Sequence, residues 1–180
     1  MNYANIKYND IANGEGISVS LFVSGCPHHC TGCFNPETWD YLYGKLFTEE
    51  TLNEIIEAIA KNNIVRNFNI LGGEPLTPAN CAPVLSIVKE VRKHYPDIII
   101  RIWTGYLFKE LPKKLIENLK KLKVNMIIDG PFIESQKSYE IAMRGSKNQR
   151  IYELIDGEYN DNTERYDNMI IYNKEFYCKI

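Results

Sequence analysis

Three cysteines crowd into one short segment of the sequence, CPHHCTGC, as Cys26, Cys30 and Cys33. Disulfides among residues so close together would be strained, and the total of 5 cysteines is odd, so metal or cluster ligation fits better than a disulfide framework. The CxxxCxxC spacing lets three thiolates hold three corners of a cubane cluster and leaves one iron without a protein ligand. Catalytic metal sites keep such an open position, whereas structural sites close it. We therefore expect a 4Fe-4S cluster with a catalytic role.

A zinc site is the alternative interpretation of this segment. The three cysteines together with His28 or His29 would supply four zinc ligands. Ligands interleaved so tightly would have difficulty forming the tetrahedron that zinc adopts, and the two histidines can simply face solvent. Cys81 and Cys178 lie far along the chain. Because free cysteines generally behave as small buried hydrophobes, we assign these two no role.

Apolar runs alternate with amphipathic stretches through most of the chain. This alternation is typical of βα units and predicts an α/β fold with a parallel sheet. Thr48 is the expected N-cap of the first helix. After Gly130 the alternation fails, so we expect an irregular C-terminal segment whose apolar runs near 151–155 and 169–172 could form an antiparallel pair. The predicted strands cover residues 17–23, 67–71, 98–103 and 124–128, and the predicted helices cover residues 48–61, 80–94 and 112–122.

Every unusual motif follows a predicted strand. The cysteine segment comes after the first strand, GGEP (residues 72–75) after the second, WTGY (103–106) after the third and DGPF (129–132) after the fourth. Parallel α/β folds place their ligand sites at the carboxyl ends of the strands, so we expect all four motifs at one rim. Asp129 and Gly130 could line a site there, although Asp-Gly-Pro is equally a turn sequence. The aromatic side chains of WTGY can simply pack.

The bulk properties restrict the functional classes. With 180 residues the chain suits one domain over 1–180, and 44% hydrophobic and 24% charged residues are usual for globular proteins. A net charge of -2 and a pI near 6.0 offer no basic field for a nucleic-acid backbone. The sequence shows no apolar stretch of membrane-spanning or signal-peptide character, and unpaired cysteines suit a reducing compartment. We expect a cytoplasmic protein that binds neither membranes nor nucleic acid directly.

The cysteine segment resembles the hallmark of the radical S-adenosylmethionine (SAM) enzymes, and GGEP resembles their SAM-binding motif. The resemblance implies a partial (β/α) barrel of the radical SAM type with mostly parallel strands. It also implies that the amino and carboxylate groups of SAM chelate the open iron, and that the reduced cluster cleaves SAM to methionine and a 5'-deoxyadenosyl radical. GGEP taken alone also fits an ordinary strand-to-helix turn.

The same resemblance implies a set of SAM contacts. The two glycines of GGEP would let the backbone approach SAM closely, and Glu74 would accept hydrogen bonds from the SAM ammonium group. The residue before the third cysteine commonly helps to seat adenine in this family, but here it is Gly32, so only backbone contacts carry over. The residues assigned to SAM binding are Gly32, Cys33, Phe34, Gly72, Gly73, Glu74, Asp129 and Gly130.

A narrower resemblance comes from four segments together, namely residues 13–40, WTGY, DGPF and RGSKNQR (residues 144–150). They resemble the activating proteins of anaerobic ribonucleoside-triphosphate reductase, over about residues 8–151. The resemblance implies that the deoxyadenosyl radical removes a hydrogen from a backbone glycine near the carboxyl end of the reductase, which leaves a glycyl radical. It implies the reductase as the protein partner and a low-potential electron donor such as flavodoxin or ferredoxin.

Several alternatives stay open. Arg144, Lys147 and Arg150 could contact the reductase or a carboxylate, or they could be solvated surface charges. The chain could instead activate another glycyl-radical enzyme such as pyruvate formate-lyase, act on a small molecule with SAM, or be a zinc-binding interaction module. RGSKNQR and the short length favour the reductase as partner, because a partial barrel without extra closing elements can admit a loop of another protein.

Overall fold

The computed structural model describes residues 1–168 of the chain. Its eight strands form one open sheet in the order β3-β1-β2-β4-β5-β6-β7-β8. The strands are β1 (Asn2–Asp10), β2 (Ser18–Val23), β3 (Lys45–Leu46), β4 (Asn67–Gly72), β5 (Ile100–Trp103), β6 (Met126–Asp129), β7 (Arg150–Ile155) and β8 (Glu158–Asp161). The longer helices are α1 (Glu49–Ile59), α2 (Pro78–His94) and α3 (Lys113–Lys121). Within residues 1–168, no helix combines the length and apolar character that crossing a bilayer requires.

The central strands β2, β4, β5 and β6 are parallel neighbours, and α1, α2 and α3 connect them in turn. Every predicted strand and helix of this part is confirmed, with its ends moved by at most two residues. Thr48 is the N-cap of α1, and its hydroxyl accepts a hydrogen bond from the Thr51 backbone. Local sequence was sufficient here because the central strands are short, continuous buried runs and the helices between them bury only one face.

The outer strands differ from the expectation. β1 was not predicted, because most of its side chains are at least partly exposed and the strand carries no run of apolar residues. It pairs antiparallel with β2 and β3, while β7 pairs antiparallel with β6 and β8. The description "mostly parallel" therefore applies to the four central strands and not to the outer four. The partial barrel stays a prediction, since the sheet has β3 and β8 at two separate edges.

The C-terminal segment contains an antiparallel pair of strands as expected, but its second strand is not the one that the sequence indicated. β7 matches the apolar run near 151–155, whereas its hairpin partner is β8 and the run at 169–172 lies outside the described residues. Asp156 and Gly157 form the two-residue turn, and both have positive φ, at 52° and 82°. An Asp-Gly pair is a strong hairpin signal, so the sequence did contain the information for this element.

The two faces of the sheet are buried in different ways. The face under the helices is apolar and includes the fully buried Ile70 and Ile102. The opposite face carries a polar row of Ser20, Asn69 and Arg101, which are neighbours in the strand register. The Asn69 amide donates to Ser20 Oγ at 3.1 Å, and the Arg101 guanidinium donates to the Asn69 amide oxygen at 3.4 Å.

The core assignment is tested by Ile70→Ala. Ile70 is fully buried in the middle of β4, so truncation leaves a cavity and should lower the free energy of unfolding by about 2–5 kcal/mol. Urea denaturation of the reduced, metal-free protein, followed by circular dichroism, measures the change. The matched control is Val65→Ala at a position that is 65% exposed, where a change within about 0.5 kcal/mol is expected. Equal midpoints for the two variants would contradict the core described here.

Candidate functional site

A cleft of about 560 Å³ opens at the carboxyl ends of the parallel strands. Its floor is formed by Phe22, Leu71 and Trp103, which follow the polar row by two residues on the same face of β2, β4 and β5. The three cysteines of CPHHCTGC line the cleft, and so do residues after β6, where Phe132 meets Phe34 at a centroid distance of 5.3 Å. The carboxyl edge of a parallel sheet is where α/β folds bind ligands, so this cleft is the candidate site.

The cysteine loop follows β2 directly and is held by backbone hydrogen bonds. The Cys26 N–H donates to the Trp39 carbonyl at 3.2 Å, and the Cys33 N–H donates to the Cys30 carbonyl at 3.1 Å. The Asn35 N–H donates to the Cys33 sulfur at 3.4 Å, the kind of contact that tunes a cluster ligand. Burial raises the pKa of the Cys26 thiol, so metal binding must displace its proton.

Glu74 of GGEP is completely buried beside this loop. Its Oε1 accepts hydrogen bonds from the Leu76 N–H at 2.9 Å and the Thr104 hydroxyl at 2.8 Å. Its Oε2 accepts from the Gly105 N–H at 2.6 Å and contacts His28 Nε2 at 2.9 Å. The carboxylate therefore joins the cysteine loop, GGEP and WTGY. Its expected contact with a SAM ammonium stays a prediction, and would require it to leave one of these partners.

The WTGY segment is shaped around His28. A Cβ atom at Gly105 would overlap the His28 ring, so only glycine lets the two loops approach this closely. The Tyr106 ring meets His28 edge to face, with centroids 4.6 Å apart. Burial, with Glu74 nearby, raises the pKa of the Tyr106 hydroxyl. WTGY thus packs against the cysteine loop in addition to lining the cleft.

Asn80 in α2 is a site residue that sequence reasoning missed. Its side chain is buried, and its amide donates to the Ser24 carbonyl at 2.9 Å and to the Glu74 carbonyl at 3.0 Å. It thereby ties the start of the cysteine loop to GGEP. The only signal in the sequence is an amide in the first turn of a helix that follows the motif directly.

The glycines of GGEP are required by the neighbouring strand. Gly72 has φ of 104°, and a Cβ there would lie 2.8 Å from the Phe22 Cα. A Cβ at Gly73 would lie 2.7 Å from the Gly25 carbonyl oxygen. Both glycines also line the cleft. The predicted close approach of the backbone is thus found, and the observed partner is the end of β2.

Asp129 of DGPF connects two loops beneath the cleft. Its two oxygens accept the Phe108 N–H at 2.7 Å and the Arg150 N–H at 3.0 Å. Burial raises the pKa of this carboxyl, and the two N–H donors oppose the rise. Gly130 of DGPF lines the cleft, whereas Asp129 is not among the residues that line it. A direct contact of Asp129 with SAM therefore stays a prediction.

Comparison with known proteins identifies the family to which this chain is similar. The family model described as a 4Fe-4S single cluster domain matches residues 12–152. The anaerobic ribonucleoside-triphosphate reductase-activating proteins of Pasteurella multocida (strain Pm70) and Haemophilus influenzae are 37% and 39% identical over 153 residues, which is 84% of this chain and 97% of each relative. The protein of that name from Enterobacteria phage T4 is 39% identical over 157 residues, 87% of this chain and 97% of its own length.

The chain belongs to the family of anaerobic ribonucleoside-triphosphate reductase-activating proteins. The matched residues 12–152 contain all four cleft motifs, the cysteine loop among them. They end near the start of β7, close to where the sequence resemblance was expected to end.

The donor set of the loop fits the cluster that this family's domain carries. His28 Nε2 contacts Glu74 Oε2 at 2.9 Å and is not free to complete a zinc site, and the His29 ring stacks on Trp39 with centroids 4.7 Å apart. Among residues 1–168, no three His, Cys, Asp or Glu side chains converge as ligands of a single ion. Zinc ligands share one metal centre, whereas cluster thiolates each bind a separate iron. His29 is exposed as expected, and the expectation that His28 faces solvent is wrong.

The structure places only some of the residues expected near adenine at the cleft. Cys33 and Phe34 line the cleft, while Gly32 points outward and is exposed. Gly32 has φ of 72°, and a Cβ there would lie 2.7 Å from Glu134 Oε1. The positive φ favours glycine at this position, because side-chain-bearing residues rarely adopt it. Backbone contact of Gly32 with adenine stays a prediction.

The three basic residues of RGSKNQR have different environments. Arg144 is buried, and its guanidinium pairs with the Asp167 carboxylate and donates to the Gln149 carbonyl at 3.2 Å. Lys147 and Arg150 are exposed. Arg144 therefore contacts a carboxylate, which was one of the alternatives, and this carboxylate belongs to the same chain. Lys147 and Arg150 lie at the surface.

The positioning role of Glu74 is tested by Glu74→Gln. In either orientation the NH2 group of a glutamine faces a backbone N–H, that of Leu76 or of Gly105, so we expect the free energy of unfolding to fall by about 2 kcal/mol or more. Urea denaturation of the reduced, metal-free protein measures this loss. The control is Glu57→Gln on the exposed face of α1, which should change little. An unaltered midpoint for Glu74→Gln would show that the carboxylate does not hold the three loops.

Proposed function

We propose that this chain activates anaerobic ribonucleoside-triphosphate reductase by reductive cleavage of SAM. The observation that carries the proposal is the set of three thiols that line one cleft, with His28 bonded to Glu74. Cys26, Cys30 and Cys33 would hold the 4Fe-4S cluster and leave its fourth iron for SAM. When bound, the cluster would supply the electron that cleaves SAM to methionine and a 5'-deoxyadenosyl radical, which removes a hydrogen atom from a reductase glycine.

The chain's own residues would orient SAM and restrict its surroundings. The backbone of Gly72 and Gly73 borders the cleft beside the thiols and suits contact with the methionine part of SAM. Leu71 and Trp103 of the floor offer an apolar surface, which keeps water and stray hydrogen donors away from a reactive radical. The network around Glu74 would keep these surfaces in register with the cysteine loop.

The partner in this proposal follows from the names of the relatives, which are activating proteins of the reductase. The cleft borders exposed aromatic side chains, including Phe34, so a segment of a second protein can reach it. A low-potential electron donor such as flavodoxin or ferredoxin would reduce the cluster. A partial barrel remains the architecture we propose for the central strands.

The decisive experiment is anaerobic reconstitution with iron, sulfide, SAM, dithionite and the purified reductase. We expect a glycyl radical on the reductase by electron paramagnetic resonance, and 5'-deoxyadenosine by chromatography. Deoxyadenosine without a protein radical would favour a SAM enzyme that acts on another substrate. A colourless protein with bound zinc would overturn the proposal.

The ligand set is tested by Cys30→Ala. We expect this variant to lose the iron–sulfur absorption and deoxyadenosine formation, because two thiolates should not hold the cubane stably. Cys81→Ala is the matched control, since Cys81 is a free cysteine in α2 that packs against the apolar core, and it should retain both. Normal deoxyadenosine production by Cys30→Ala would contradict the assignment of the three ligands.

A further inference from the structure

Residues 133–149, between β6 and β7, form a projection with two paired sides, which we call the arm. Lys137 and Ser146 form an antiparallel bridge between its two sides. The Lys147 N–H donates to the Gln136 carbonyl at 2.9 Å, and the Ser138 N–H donates to the Gly145 carbonyl at 3.3 Å. The arm therefore has local structure of its own, and residues 139–143 form its tip.

The base of the arm is fastened by the polar residues of RGSKNQR. The Gln149 side-chain oxygen accepts the Gly145 N–H at 2.8 Å, and its amide donates to the Gly130 carbonyl at 2.8 Å. The Asn148 amide donates to the Pro131 carbonyl at 2.8 Å. These bonds connect the arm to DGPF at the rim of the cleft. The motif thus orients the arm, and its amides act inside the chain.

The outer side of the arm and the cysteine loop share an exposed aromatic patch. The Lys137 ammonium lies 4.9 Å from the Phe34 ring centroid and 5.0 Å from that of Tyr139. Phe34 is 58% exposed and Tyr139 is 84% exposed. Phe132 meets Phe34 at a centroid distance of 5.3 Å. Exposed groups of large aromatic side chains mark interaction sites, and tyrosine is enriched among residues that dominate binding energy.

This patch is continuous with the cleft. Cys33 and Phe34 are consecutive residues of its lining, and Ser138, Tyr139 and Ile141 of the arm line the same cleft. A polypeptide whose main chain approaches the thiols along this side passes over Phe34 and Tyr139. The Lys137 ammonium has three donors, and it can offer them to carbonyl groups of such a chain while it lies against the rings.

We propose that Phe34, Lys137 and Tyr139 form the docking surface for the reductase segment that carries the reacting glycine. The inference rests on the proposed function and adds the surface that the protein substrate contacts. A reductase segment is the occupant that fits best, because its glycine must enter the cleft that the patch borders. An electron donor needs only to approach the cluster and has no need to contact the inside of the cleft.

The test uses Tyr139→Ala, Tyr139→Phe and the control Leu42→Ala, which truncates a side chain that is 80% exposed in the loop before β3. Three quantities are measured on reconstituted protein. They are the dissociation constant for the reductase in the presence of SAM, the yield of glycyl radical, and deoxyadenosine formation with dithionite in the absence of the reductase. We expect Tyr139→Ala to weaken reductase binding about tenfold or more and to lower the radical yield at limiting concentrations. Tyr139→Phe and Leu42→Ala should bind within about twofold of the unmodified protein.

The outcomes separate the two proposals. If the unmodified protein forms the glycyl radical and Tyr139→Ala binds the reductase equally well, the docking surface is wrong and the proposed function stands. If Tyr139→Ala lowers deoxyadenosine formation without the reductase, the side chain acts on the SAM site and the docking surface is likewise wrong. If the unmodified protein binds the reductase and yields no radical under any condition, the proposed function fails. Weaker binding of an electron donor alone would assign the patch to that donor and overturn the inference.

Discussion

The buried carboxylate of Glu74 is the group on which the geometry of the site depends. A carboxylate removed from water is costly unless its oxygens are occupied by hydrogen-bond donors. Here the donors come from three segments, namely His28 of the cysteine loop, Leu76 beside GGEP, and the WTGY pair Thr104 and Gly105. Satisfying the charge therefore fixes the carboxyl ends of β2, β4 and β5 relative to one another.

Close backbone approach is the second constraint, and it follows from the first. Gly73 donates its N–H to the Val23 carbonyl at 2.8 Å, and Gly105 lies directly against His28. Side chains at these glycines would separate the loops that Glu74 joins. The backbone of Gly72, Gly73 and Gly105 and the half-buried thiols form one part of the cleft, beside the side chains of its floor. This part is preorganised, because few rotatable groups in it must be ordered when a ligand binds.

The C-terminal part of the described chain adds the second wall of the cleft to this framework. Asp129 holds the start of β7 through the Arg150 N–H, and Gln149 holds the arm through the Gly130 carbonyl. DGPF and RGSKNQR, which are separated in sequence, thus form one hydrogen-bonded unit. This unit carries the exposed aromatic residues next to the thiols, so the surface that meets a partner is supported by buried polar contacts.

The sequence by itself determined the cysteine spacing, the four strands and three helices of the centre and the placement of four motifs at one rim. These depend on local spacing, on short apolar runs and on the one-sided apolar pattern of the helices. The Asp-Gly turn before β8 was also readable, whereas β1 was not, because its polar, partly exposed residues carry no strand signal. Only the tertiary structure decided that the Glu74 carboxylate accepts hydrogen bonds from this chain's own donors, that His28 contacts Glu74 and that Arg144 pairs with Asp167. Each of these contacts joins residues tens of positions apart or settles which of several possible partners a polar group takes. Which partner a polar group takes depends on which groups are buried together, and local sequence patterns do not show this.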